Sequence, residues 1–216
     1  VIIAGSHAGI SVGPDGGTHQ AVEDLAITRV IPNMTVFSPC DHIEAKKITL
    51  ASAELGKPAY IRLAREKTPV ITTVDTPFEV GKGQIFYGEE KERADVGIVA
   101  TGALVYKGLK VAETLKGEGI SAKVLNISTI KPLDNEAVIN LAKTCGAIVS
   151  VEEHQIAGGL GSAVAECLSQ NYPVPQEFIG VKDLFGQSGK QDELLEHYEM
   201  GETHIRDACK KCIGRK

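Results

Sequence analysis

The sequence predicts an α/β fold built from two parallel or mostly parallel sheets. Short runs of β-branched residues alternate with amphipathic segments of helical period along nearly the whole chain, a pattern typical of parallel strands joined by crossover helices. The alternation is interrupted at residues 67–92, where Thr, Pro, Gly and charged residues replace the periodic pattern. We therefore predict two domains, residues 1–80 and residues 81–216.

The first predicted domain has the order strand, helix, strand, helix, strand. Its opening run, VIIAG, has the β-branched character of a buried parallel strand, and Asp41 and Gly56 stand where an N-cap and a stop signal would bound the second helix. A strand that starts at residue 1 would leave a sheet edge uncovered, so we expect this domain to be incomplete. The predicted strands are residues 1–5, 33–39 and 58–64, and the predicted helices are residues 19–31 and 41–56.

The second predicted domain alternates in the same way and is expected to be complete. Residues 67–92 before it are predicted as a linker with a short strand pair. Its predicted strands are residues 94–102, 121–128, 147–153 and 176–183, and its predicted helices are residues 103–119, 133–146 and 159–171, followed by two short terminal helices.

Composition narrows the classes of function. The chain has 216 residues, of which 43% are hydrophobic, and a formal net charge of -5. Scattered Lys and Arg residues argue against nucleic-acid binding, no apolar run approaches the ~20 residues of a membrane span, and no secretory signal is visible. The five cysteines favour a reduced, cytoplasmic protein. Cys209 and Cys212 form a lone CxxC, a weak zinc or redox signal that we interpret as two small side chains on a terminal helix.

Residues 6–26, SHAGISVGPDGGTHQAVEDLA, carry the densest polar chemistry of the chain. His7 follows a predicted strand end, where α/β proteins place ligand sites. The GPDGG stretch at residues 13–17 is predicted as a tight turn, neither helix nor strand, because its glycines allow close backbone approach. His19 is expected at a helix start, where backbone N–H groups favour anions. Together with Asp15, the two imidazoles suit a polyhydroxylated substrate and proton transfer.

This segment, followed by IPNMTVFSPCD, closely resembles the pyrimidine-binding domain of the transketolase family, and VEEHQIAGGLGSAVAE resembles the C-terminal domain of the same family. The resemblance covers essentially the whole chain. It is specific because both histidines and Asp15 keep the spacing of the family motif. It implies a partial thiamine-diphosphate pyrimidine-binding fold for residues 1–80 and a transketolase C-terminal fold for residues 81–216.

The resemblance also implies roles for individual residues. His7 matches the histidine beside the thiazolium and the donor hydroxyls, and His19 matches the histidine near the hydroxyl that loses its proton; both are thereby catalytic, substrate-binding and cofactor-binding candidates. Asp15 matches the aspartate that hydrogen-bonds a sugar hydroxyl, and Arg65 matches the arginine that grips the sugar phosphate, which a guanidinium can bind in a bidentate manner. Arg62 is expected to point to the opposite face of its strand and is the weaker candidate.

Other parts of the family pattern are expected outside this sequence. The acidic residue that activates the aminopyrimidine, and the aromatic platform beneath it, would precede Val1. The domain that binds the diphosphate and the divalent cation, Mg²⁺ or Ca²⁺, has no counterpart here. The resemblance therefore implies thiamine diphosphate bound mainly by residues of an N-terminal transketolase subunit or missing N-terminal domain. It also implies a homodimer of the assembled unit and inactivity of this chain alone.

A second polar segment, EEHQIAGGLGSAV, is expected to follow a strand and to open a helix with its glycines. It lacks the spacing of a dinucleotide or P-loop motif, so a turn that packs against a partner is a better interpretation than catalysis for its three polar residues, Glu152, Glu153 and His154. Three further histidines in polar helical segments are interpreted as surface residues: His42, His197 and His204.

The leading functional hypothesis from this resemblance is transfer of a two-carbon ketol unit between sugar phosphates in the pentose phosphate pathway. The near alternative is 1-deoxy-xylulose-5-phosphate synthase, although SHAGI and VEDLA favour transketolase. The β subunit of a 2-oxo acid dehydrogenase lacks this spacing of histidines and aspartate. A non-catalytic dimerisation or interaction module is the alternative from a different class.

Overall fold

The computed structural model describes residues 1–90 and 92–216. It confirms the predicted α/β fold, with two sheets whose strands are mostly parallel. The first sheet has the order β1-β3-β2-β7, in which β7 is antiparallel to β2 and the other neighbours are parallel. Its strands are β1 (Ile2–Gly5), β2 (Thr35–Phe37), β3 (Ala59–Arg62) and β7 (Thr129–Lys131), and its helices are α1 (Asp24–Val30) and α2 (His42–Glu54).

The second sheet has the order β4-β6-β5-β8-β9, with an antiparallel edge strand beside four parallel strands. Its strands are β4 (Gln84–Tyr87), β5 (Val96–Ala100), β6 (Ala122–Asn126), β8 (Ile148–Gln155) and β9 (Gln176–Val181). The helices of this part are α3 (Val105–Gly117), α4 (Asn135–Cys145), α5 (Leu160–Asn171), α6 (Gln191–His197) and α7 (Glu202–Ile213).

The strand β7 was not among the predicted elements. It has only three residues, too few for a period-2 pattern to be recognised. It pairs with β2 through Val36 and Phe37, so a strand from the second half of the chain completes the first sheet. The predicted division near residue 80 therefore has strands of one sheet on both sides.

Two local predictions for the first domain were wrong. The opening strand lies at an uncovered sheet edge, as expected, but it is not buried, with 43% of Ile2 and 46% of Ile3 accessible. Helix α1 begins at Asp24 rather than at His19, because Ala21 forms a parallel bridge with Ala8 and its carbonyl accepts from the amide of Gly9. That extended pairing excludes helical geometry at this point.

The second helix begins and ends as predicted. The Asp41 carboxylate accepts a hydrogen bond from the amide of Glu44 at 2.9 Å, which is the geometry of an N-cap. Gly56 has φ +62° just beyond the last turn, a conformation that glycine adopts without a Cβ clash.

The linker prediction holds only in part. Among the described residues of 67–92 there is one strand, β4, and it pairs with β6 instead of with a neighbour inside the linker. The sequence pattern of an edge strand does not reveal whether its partner is near or distant in the chain, because in both cases the strand is hydrogen-bonded on one side.

Cys209 and Cys212 are fully buried on α7 within the core of the second sheet. Burial raises the pKa of the Cys209 thiol to about 12, which keeps it protonated at neutral pH. This agrees with their interpretation as two small side chains on a terminal helix. Across residues 1–90 and 92–216 no cluster of three or more His, Cys, Asp or Glu side chains could hold a metal ion. In the same residues no helix is long and apolar enough to cross a bilayer.

Candidate active site

The glycine-rich loop, residues 6–23, leaves β1 at the carboxyl edge of the first sheet and ends at α1. Backbone hydrogen bonds continue the strand pairing into the loop, from Ala8 to Leu63 at 3.1 Å and from Leu63 to Gly5 at 2.8 Å. The loop and the segment after β3 therefore run side by side at the edge where parallel sheets place ligand sites.

Buried apolar residues and glycines shape this loop. Ile10 and Val12 are fully buried in a 3₁₀ segment, Ile10–Asp15, that is broken at Gly13 with φ 81° and ψ -120°. The 3₁₀ segment overlaps the turn predicted at residues 13–17, so the prediction that this stretch contains no helix was wrong in part. Gly16 has φ 77°, so the chain reverses and presents Asp15 to solvent.

The structure brings Asp15 and Arg65 together. The Nε of Arg65 lies 3.4 Å from Oδ2 of Asp15, and its Nη1 donates to the carbonyl of Val12 at 3.0 Å and to Glu66 at 3.0 Å. Both side chains of the Asp15–Arg65 pair stay about one-third exposed. A cavity of about 490 Å³ opens beside this guanidinium, with His42 among its lining residues.

The two loop histidines are exposed to solvent. His7 has φ 60°, a left-handed conformation that is uncommon outside glycine and clusters at functional sites. His19 lies in a turn, where its Nδ1 is 2.9 Å from the hydroxyl of Thr18; its predicted place at a helix start was wrong. Within the described residues no hydrogen bond or ion pair joins either imidazole to Asp15 or Arg65.

Arg62 is buried and turned away from solvent. Its Nε pairs with Asp24 at 2.9 Å, while its Nη2 donates to the carbonyls of Ala21 at 3.1 Å and Glu153 at 2.8 Å. Burial raises the pKa of Asp24, but Arg62 and Tyr60 outweigh burial and lower it. A guanidinium committed in this way is not accessible to a sugar phosphate, which agrees with the lower rank given to Arg62.

Glu152, Glu153 and His154 lie within β8 and are 5% exposed or less. The predicted strand ended at residue 153, and the polar segment was expected to turn there against a partner; instead the strand continues to Gln155 and the three side chains contact other parts of this chain. The carboxylate of Glu152 accepts from the amides of Leu160 and Gly161, both at 2.7 Å, and so caps α5. Burial raises the pKa of Glu152 to about 7.

The neighbours of Glu152 contact the first half of the chain. Glu153 accepts a hydrogen bond from the backbone amide of Ser11 in the glycine-rich loop. The Nε2 of His154 accepts from the amide of Ala26 at 3.3 Å, and its Nδ1 lies 2.7 Å from the carbonyl of Gln155. Burial, followed by the charge of Arg62, lowers the pKa of His154, so the imidazole is neutral at pH 7.

A second loop, residues 184–189, packs on the glycine-rich loop. The side-chain Nε2 of Gln20 donates to the carbonyls of Ile10 at 2.9 Å and Gln187 at 3.0 Å, which joins the two loops. A Cβ on Gly17 would stand 2.5 Å from the carbonyl oxygen of Gly186. Only glycine fits at this contact.

Sequence reasoning missed Glu153 and Gln20, which hold the loop. The available signal was a pair of acidic residues directly after the apolar run AIVSV, since a carboxylate in a buried strand requires a specific donor. Of the three histidines interpreted as surface residues, His42 and His197 are exposed, whereas His204 is half-buried with its Nδ1 3.5 Å from Glu196.

Two family models match this chain. Residues 1–70 match the family model described as transketolase, pyrimidine binding domain, and residues 88–205 match the model described as transketolase, C-terminal domain. The chain belongs to the transketolase family. A putative transketolase C-terminal section from Methanocaldococcus jannaschii is 44% identical over 203 residues, covering 93% of this chain and 62% of the relative.

Further members of the family support the same assignment. A 6-deoxy-6-sulfo-D-fructose transketolase subunit from a Clostridium species is 41% identical over 216 residues, covering all of this chain and 66% of the relative. The solved structure of a split gene transketolase, described as an inactive beta4 tetramer, superposes with a TM-score of 0.91 at 42% identity and covers 100% of this chain and 68% of its own. The chain thus spans less than two thirds of the length of the two curated transketolase relatives.

Proposed function

We propose that this chain is the sugar-binding portion of a transketolase that transfers a two-carbon ketol unit between sugar phosphates. The observation that carries the proposal is the Arg65 guanidinium, which Asp15 and the carbonyl of Val12 hold beside a cavity of about 490 Å³ at the carboxyl edge of the sheet. A fixed, partly exposed guanidinium at such an edge suits a terminal phosphate.

The exposed side chains of the loop are assigned roles that fit their chemistry. Arg65 binds the terminal phosphate, and Asp15 accepts a hydrogen bond from a sugar hydroxyl near the reacting carbon. His7 and His19 contact donor hydroxyls, and His19 takes the hydroxyl proton as the carbon–carbon bond breaks, because an imidazole nitrogen can both accept and donate a proton. These assignments rest on the family motif together with the exposure of both imidazoles.

Family membership supports thiamine diphosphate and a divalent cation as cofactors. When bound, the cofactor supplies the carbanion that carries the two-carbon unit. His7 and His19 would lie beside it, on the exposed loop. The described residues contain no group of three His, Cys, Asp or Glu side chains that could hold the cation, and we assign the cation and the diphosphate to an N-terminal transketolase subunit or domain.

Relatives described as subunits or sections support such a partner. We further propose that the assembled unit forms a homodimer in the cytoplasm. A ketose and aldose pair of the pentose phosphate pathway is the expected substrate set. Relatives named for 6-deoxy-6-sulfo-D-fructose and for apulose-4-phosphate make a sulfo-sugar and apulose-4-phosphate the other substrates to assay.

The test is reconstitution of the chain with a candidate N-terminal subunit, thiamine diphosphate and Mg²⁺, followed by a ketol-transfer assay. We expect Arg65→Ala to raise KM ~10- to 100-fold with a smaller effect on kcat, because it removes charge-assisted hydrogen bonds to the phosphate. Arg206→Ala, which removes an arginine on α7 whose side chain is about as exposed as that of Arg65, is the matched control and should leave KM unchanged.

Three outcomes would contradict the proposal. Equal KM values for wild type and Arg65→Ala would remove the phosphate assignment. Stable self-association without ketol transfer, with every candidate partner and substrate, would favour the interaction module. Formation of 1-deoxy-xylulose-5-phosphate in the same mixture would favour the synthase alternative.

A further inference from the structure

We propose that Glu153, a residue of the second sheet, is a positioning residue for the sugar site, because its carboxylate fixes the backbone that carries Asp15. This inference rests on the proposed function for its catalytic consequence. The contacts between Glu153 and the loop lie within this chain and do not depend on that function.

The contact between Glu153 and the loop is direct and buried. Glu153 is 5% exposed, and its Oε1 accepts the backbone hydrogen of Ser11 across 142 residues of sequence. A Cβ placed on Gly9 would lie 2.4 Å from the same Oε1. The loop therefore rests on the carboxylate, and a substitution at Glu153 reaches the 3₁₀ segment that ends at Asp15.

The backbone of Glu153 fastens the other end of the loop. Its carbonyl accepts from Nη2 of Arg62 at 2.8 Å, and the same Nη2 donates to the carbonyl of Ala21 at 3.1 Å. Arg62 is itself held by Asp24. Both ends of the loop are thus fixed to one residue of β8, which sets where Asp15 stands relative to Arg65.

Neighbouring Glu152 has the same side chain and burial but a different task. Its two oxygens accept from the amides of Leu160 and Gly161 at the start of α5. Among residues 1–90 and 92–216, no hydrogen bond or ion pair joins its carboxylate to the loop. It is the matched control, because loss of its carboxylate destabilises the fold without releasing the loop.

The experiment compares Glu153→Gln, Glu153→Met and Glu152→Met in the reconstituted enzyme. Glutamine keeps an oxygen that accepts from Ser11, whereas methionine has similar length and no strong acceptor. We expect Glu153→Met to lower kcat/KM ~10- to 100-fold, as small displacements of positioned groups do. Glu153→Gln should restore most of it. Glu152→Met should lower the melting temperature and leave kcat/KM near wild type at a temperature where it is folded.

Amide hydrogen exchange at Ser11, measured on the full chain, tests the same inference without activity. Exchange at Ser11 should be faster in Glu153→Met than in Glu153→Gln and Glu152→Met. If the wild-type mixture is inactive, the proposed function fails while the exchange data still decide the positioning role. Equal Ser11 exchange in all three variants, or equal kcat/KM for the two Glu153 variants in an active enzyme, would overturn the inference.

Discussion

At the scale of single residues, buried ionisable groups join the two halves of the chain. Arg62 forms an ion pair with Asp24 at 2.9 Å and also donates to the carbonyl of Glu153 in the second half. His154, whose pKa is lowered, accepts from the amide of Ala26 in the first half. Breaking a buried pair on one side costs ~3–5 kcal/mol because the remaining charge loses its partner. The charges at this junction therefore act as structural residues rather than as ligands for substrate.

His154 should make the fold sensitive to acid. Its pKa is lowered in the folded chain, so below pH ~6.5 the unfolded chain binds a proton that the folded chain does not, and the free energy of unfolding falls by up to ~1.4 kcal/mol per pH unit. We expect the stability of wild type relative to His154→Gln to decrease as the pH is lowered through this range, measured by urea unfolding.

The raised pKa of Glu152 changes the free energy of unfolding with pH in the opposite direction. Wild type and His154→Gln both carry this residue. Its raised pKa means that its contribution is lost as the pH rises toward about 7. Parallel stability curves for wild type and His154→Gln would show that His154 does not titrate differently on folding.

The sequence can predict a contact in the site when both residues belong to one sheet, but not when the contact joins two sheets. Asp15 and Arg65 each follow a strand of one parallel sheet, so their meeting at 3.4 Å is consistent with topology alone. The contact between Glu153 and Ser11 depends on how two sheets pack, which no periodicity encodes. The roles of the loop residues in catalysis stay predictions.

At the scale of elements, two glycine-containing loops share one close contact. Gly17 lies against the carbonyl of Gly186, and Gln20 bonds to both loops. The sequence predicted a tight turn at residues 13–17 from its glycines. The sequence did not indicate that a second loop requires glycine at position 17, because Gly186 follows all the strands of the second sheet along the chain.

Substitution of Gly17 should be costly for a steric reason. Gly17→Ala places a methyl group 2.5 Å from a backbone oxygen, so we expect a loss of ~1–3 kcal/mol through displacement of one loop. Thermal unfolding measures the change. Gly117→Ala, at a helical site with nothing within 4 Å of the new methyl group, should be neutral or stabilising; equal effects of the two substitutions would contradict the packing argument.

Most strands and helices were predictable at this scale because each carries its own period. Two of the failures have direct physical causes. Helix α1 starts late because Ala21 pairs with Ala8, and β7 was missed because three residues carry too little pattern.

At the scale of the whole molecule, the two sheets are one structure. The strand β7 leaves the second half of the chain to pair with β2, and β8 supplies Glu153 and His154 to the first half. We expect residues 1–216 to unfold in one cooperative transition. Separate melting of the two halves would break the first sheet and the buried contacts of Arg62 and Ser11 with Glu153. Calorimetry should give equal calorimetric and van't Hoff enthalpies.

Hydrogen exchange provides an independent check on this cooperativity. Amides of β3 and β8 should converge on one opening free energy as denaturant is added. Two calorimetric transitions, or a β3 that opens well before β8, would show that the halves are independent units.

The shared sheet also bears on recombination within the family. If residues 81–216 were exchanged for those of another member, the incoming segment would bring its own β7 and its own residue at position 153. We expect such hybrids to have a less stable first sheet when the two lineages have diverged at β7 or at position 153. Selection would then transmit the two halves together, as a single heritable block.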